Sequence, residues 1–123
     1  MFNLHSVNNN FGGKTMSDFN FVKMQEIQKE LQEKYKDKWD PLSPGRGRDK
    51  LLWMMIEAGE IADVIKKRGD KMIMDDIGVR NNFIEEMCDT LMYFNDVMLC
   101  YDISPQELEQ IYLQKHQANM ERW

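Results

Sequence analysis

Apolar residues recur along this chain at helical rather than strand spacing. Phe21, Met24, Ile27, Leu31 and Tyr35 form one stripe, with Lys, Glu and Gln on the other faces. This predicts an amphipathic helix from about Asp18 to Lys38. Asp40 to Arg48 (DPLSPGRGR) breaks the pattern, because Pro41, Pro44, Gly45 and Gly47 cannot continue a helix. A second helix is expected from Asp49, a suitable N-cap, to Arg68. Gly69 comes next as the C′ residue, and Lys66, Lys67 and Arg68 complement the dipole of the last turn. The opening of this helix, LLWMMI, is apolar on every side and predicts burial all round. Gly69 to Arg80 reads as a loop, with or without a short turn. A third helix spans about Asn81 to Tyr101, with Phe83, Met87, Leu91, Phe94, Met98 and Tyr101 on one stripe. Cys88, Met92 and Leu99 make a second side apolar. The fourth helix starts at a capping box: Ser104 at the N-cap, Pro105 at N1, Glu107 at N3. No alternating β-branched run or Asn-Gly hairpin signal competes. The fold class expected is all-α, with four helices.

Length bounds the organisation. With 123 residues the chain makes one domain. Residues 1–16, rich in Asn and Gly, read as a flexible N-terminal tail, and 17–123 as the domain. Two helices that are apolar on nearly all sides need more cover than two others provide, so a homodimer is expected. The net charge of −5 argues against a nucleic-acid partner. The longest apolar run, Leu51 to Ile56, is too short to cross a bilayer. Cys88 and Cys100, with no CxxC, give neither a disulfide scaffold nor a Cys-rich zinc site. Met1 to Met16 lacks the basic and apolar regions of a secretory signal, and the expected compartment is the cytoplasm.

Two carboxylate pairs carry the candidate chemistry. Glu57 and Glu60 lie three apart on the second helix, as do Glu86 and Asp89 on the third, so each pair shares a face. Tyr93 and Asp96 share the Glu86/Asp89 face. Acid pairs on helices are commonly just solvated. Two pairs on otherwise apolar helices instead need compensation, which a hard divalent cation such as Mg²⁺, or Mn²⁺ in its place, supplies. A di-iron centre would need ExxH, and neither His5 nor His116 comes three residues after a Glu. On the fourth helix, Leu108, Ile111, Tyr112, Lys115, Asn119 and Arg122 form a stripe that turns basic. It suits an anionic ligand such as phosphate, or it simply emerges into solvent.

The stretch Glu57-Ala58-Gly59-Glu60, with Glu86-Met87-Cys88-Asp89 after it, resembles the ExxE…ExxD signature of the all-α NTP pyrophosphohydrolases, and the MazG-like branch in particular. Glu85 to Tyr93 (EEMCDTLMY) resembles the family's second metal helix, and Lys115 to Trp123 its K…N..R ending. The resemblance runs from about residue 20 to the end. Many MazG-type members carry a further Glu directly before the first ligand position, where this chain has Ile56. The resemblance implies a Mg²⁺-dependent enzyme that cleaves the α–β bond of (d)NTPs to give (d)NMP and pyrophosphate. It assigns Glu57, Glu60, Glu86 and Asp89 to metal and catalysis, and Lys115, Asn119 and Arg122 to the triphosphate. It also implies a homodimer or a dimer of dimers. The general base is one of the four acids or Glu85, with no choice among them. Lys67, Arg46 and Arg48 are further phosphate candidates. Tyr93 is placed to stack on or hydrogen-bond a base; Trp39 offers an aromatic platform or caps the first helix. Trp53 and Cys88 read as core. The alternatives are a non-catalytic helical module, binding a nucleotide or a protein, and a hydrolase of a phosphoribosyl-linked nucleotide.

Overall fold

The computed structural model describes residues 18–122, and every regular element among them is helical. The expectation of a tail over residues 1–16 lies outside the described residues. Helix α1 (Phe21–Lys34) is shorter than its apolar stripe suggests. It starts at Asn20, whose side chain accepts a hydrogen bond from the Lys23 amide at 2.9 Å, so the cap sits two residues past Asp18. After α1 the chain turns, and the rings of Tyr35 and Trp39 stack with centroids 4.6 Å apart. A short 3₁₀ turn (Pro44–Arg46) leads directly into α2 (Gly47–Asp75). Asp49 is therefore not the cap of α2. It lies in the first turn and pairs with Arg46 at 3.4 Å.

Gly69 takes a positive φ of 83°, as a glycine after a helix can, but with ψ 163° it is extended rather than left-handed helical, and the helix resumes and runs to Asp75. Buried Ile73 holds this second segment in place, so the loop expected after Gly69 is mostly helix. Asp76 is extended and is both the C-cap of α2 and the N-cap of α3 (Ile77–Cys100), accepting from the Val79 amide at 3.0 Å. This cap brings the start of α3 forward by four residues. Helix α3 ends in a Schellman motif: Asp102 takes φ 54°, and the Ile103 amide donates to the Met98 carbonyl at 2.8 Å. The capping box then opens α4 (Pro105–Arg122). The Glu107 amide donates to Ser104 Oγ at 3.1 Å, and the Ser104 amide donates to Glu107 Oε2 at 2.8 Å.

Helices α2 and α3 make the principal pair; α1 packs on α3, and α4 rests on α1. Phe21 meets Phe94 edge to face at 6.3 Å. Gln25 Nε2 donates to the Ile103 carbonyl at 3.0 Å, tying α1 to the α3–α4 turn. Among the described residues the buried apolar side chains are Val64, Ile73, Met98 and Cys100. The expectation that α2 is buried all round fails within a single chain. Leu51, Leu52, Met55 (62% exposed) and Ile56 face outward. So do Met87 and Met92 on α3, and Cys88 is exposed rather than core. Among the described residues of one copy nothing covers these side chains, because α1 and α4 lie elsewhere. No helix among the described residues is long and apolar enough to cross a membrane.

Candidate functional site

Helices α2 and α3 bring together three of the four acids singled out from sequence. Glu57, Glu86 and Asp89 each offer one carboxylate oxygen, and these oxygens lie within 4.8 Å of one another. All three are half-buried rather than buried, whereas Glu60 is exposed and stands outside the cluster. Partial burial, then the charges of Asp89, Glu57, Glu60 and Glu85, push the Glu86 carboxyl above its ordinary value. Such a set matches the oxygen donors that hard divalent cations take.

Beside the cluster a cleft of about 560 Å³ opens between α1, the α1–α2 connection, α2 and α3. Asp89 lines it and is common to both features. Tyr93 and Trp39 also line the cleft, as the sequence suggests for a base site. So does Trp53, which is 50% exposed and is not the core residue expected from its apolar surroundings. At the rim, Arg46 is held by Asp40 at 2.6 Å and by Asp49 at 3.4 Å.

The cleft wall contains a polar group that the sequence does not announce as a unit. Asp96 is 3% exposed, and its Oδ1 accepts from Gln28 Nε2 at 2.8 Å. Lys50 Nζ lies 3.8 Å from Asp96 Oδ2 and 5.8 Å from the centre of the Tyr93 ring. Burial pushes the Asp96 carboxyl up; the hydrogen bond from Gln28, then Lys50 and Gln32, pull it back. Burial, with the charges of Glu57, Asp96 and Asp89, pushes the Tyr93 phenol up, so it remains a hydrogen-bond donor at neutral pH. Asp96 and Gln28 are 68 positions apart in the chain. The available signal is local: one acid on the Asp89 face of α3, and two glutamines interrupting the buried side of α1.

The remaining candidates lie elsewhere. Lys115, Asn119 and Arg122 are exposed on α4, and none lines the cleft. Lys67 is paired with Asp63 at 2.8 Å. Arg48 is exposed and lies outside the cleft lining. No family model, curated protein or solved structure matches the chain.

Proposed function

We propose that the chain is a Mg²⁺-dependent nucleoside triphosphate pyrophosphohydrolase that cleaves the α–β phosphate bond. An acid cluster alone is not a metal centre. The observation that carries the reading is that Asp89 belongs at once to the three-acid cluster and to the wall of an aromatic-lined cleft. A nucleotide needs both features side by side, one for its phosphates and one for its base.

The donor set fits a divalent cation, with Glu57, Glu86 and Asp89 as ligands and Glu60 within electrostatic range of Glu86. A cation held there would neutralise phosphate oxygens and lower the pKa of an attacking water. The chain's own groups supply the positioning that in-line attack on phosphorus requires. Trp39 and Trp53 give apolar walls for a base. Tyr93 offers a protonated phenol. Lys50, beside Asp96, brings positive charge to the cleft wall, and Lys38 and Arg46 line the cleft as well. The motif resemblance points to Lys115, Asn119 and Arg122 as triphosphate ligands, although on α4 they stand outside the cleft lining. The uncovered apolar residues Leu52, Met55, Ile56 and Met87 support a homodimer, since a lone domain seldom leaves such a surface in water.

The test is pyrophosphate release from a panel of dNTPs and NTPs, with Mg²⁺ and with EDTA, for the wild type and Asp89→Asn. Metal-dependent release that is lost in the variant upholds the reading. Binding without release identifies a nucleotide-binding module instead. Sedimentation velocity tests the dimer, and a monomer at all concentrations removes that part.

A further inference from the structure

We propose that the cleft selects its nucleobase through Asp96, taking a base that carries an exocyclic amine and rejecting uracil and thymine. The inference rests on reading the cleft as a nucleotide site. Asp96 is a nearly buried carboxylate on the cleft wall, held there by Gln28, Gln32 and the nearby Lys50. A carboxylate has about four lone-pair positions, and it only accepts. Gln28 fills one on Oδ1, and Gln32 donates a second hydrogen bond to the carboxylate, so about two positions remain. Lys50 stands 3.8 Å from Oδ2, an ion-pair distance too long for a direct hydrogen bond, and so leaves acceptor capacity on that oxygen. Because Gln28 must turn its amide nitrogen to the carboxylate, its carbonyl oxygen remains as a second acceptor on a residue that lines the same cleft.

This wall is therefore rich in acceptors. An exocyclic amine brings two N–H donors to it. Uracil and thymine bring a single ring N–H flanked by two carbonyl oxygens, which a buried carboxylate repels. The aromatic walls of Trp39 and Trp53 hold any base equally well and add no discrimination between the two groups. Selection falls to Asp96 and its partner Gln28.

The experiment is a tryptophan-fluorescence titration of the full chain, in EDTA, with deoxycytidine, deoxyadenosine, deoxyguanosine, deoxyuridine and thymidine. Deoxycytidine and deoxyuridine are nearly equal in size, so their ratio is decisive. Deoxycytidine is expected to bind about tenfold more tightly, the worth of one good hydrogen bond, and the purine arms show which amine-bearing base fits. Asp96→Asn, whose amide can also donate, is expected to bring that ratio close to one. Equal binding of the two pyrimidines, a preference for deoxyuridine, or an unchanged ratio in a folded Asp96→Asn protein overturns the proposal. The wild-type ratio decides even where the variant does not fold. Nucleosides in EDTA need neither metal nor turnover. Failure of the triphosphate panel would therefore leave base selection standing, and equal hydrolysis of dCTP and dUTP would leave the hydrolase standing.

Discussion

The two carboxylate pairs share one spacing and come to different ends. On α3, Glu86 and Asp89 both enter the acid cluster; on α2, Glu57 enters it and Glu60 does not. An i, i+3 step places two residues on one face, about 60° of rotation apart. Which of them faces a site depends on how the neighbouring helix crosses. Asp89 has the cleft beside it, while Glu60 remains in solvent. Spacing thus selects candidates, and packing ranks them.

This ranking can be broken by experiment. The largest effect is expected at Asp89, which belongs to both cluster and cleft. Asp89→Asn should lower Mg²⁺-dependent pyrophosphate release by more than about a hundredfold, beyond the usual reach of a residue outside the ligand shell. Glu60→Gln should cost only about tenfold in the same assay, acting through charge at a distance. Equal losses in the two variants would put Glu60 back among the ligands.

A thermal comparison sharpens the same contrast without turnover. The Glu86 carboxyl titrates above its ordinary value of 4.5 in the folded chain, because the folded state disfavours its charged form. The folded protein therefore holds that proton more tightly than the unfolded one. Stability is greatest below the ordinary value and falls as pH rises through the raised one. In EDTA, Glu86→Gln should melt higher than the wild type at pH 7, and the gap should close below pH 4.5. Added Mg²⁺ should raise the melting temperature of the wild type but not of the variant. A wild type that melts higher in EDTA at pH 7 would mean that repulsion in the cluster is negligible. The smallest effect is a control remote from both pairs. Ser104→Ala removes the cap bond of α4 and should cost about 1 kcal/mol, a melting shift of about 4 °C, with turnover unchanged.

Local chemistry is legible in the sequence. The capping box at Ser104 and Glu107 is formed by both of its bonds. Gly69 stands out as a residue suited to positive φ. The helical segment beyond it does not, because that segment is fixed by the burial of Ile73, which local signals do not report. The end of α3 falls within one residue of its expected place, although its left-handed residue is Asp102 rather than a glycine. The acids of the site are visible because their spacing is short. Lys50, Gln28 and Asp96 are not visible as a group, since they meet only when α1 and the start of α2 close on α3. Trp53 misleads for a related reason: apolar neighbours along a helix do not say which of them a single copy leaves open.

The reversed backbone at Gly69 also divides α2 in time. The segment before it carries Glu57, while residues 70–75 hold on through Ile73 and the Lys71–Asp75 pair at 2.8 Å. A helix interrupted by one non-helical glycine can release its last turns without unwinding the rest. Amide protons of residues 70–75 should therefore exchange through a shallow local opening, and those around Val64 only through a much deeper one. Thermal breathing at the α2–α3 turn then stops at Gly69, and the acid cluster keeps its geometry while that end of the molecule opens and closes.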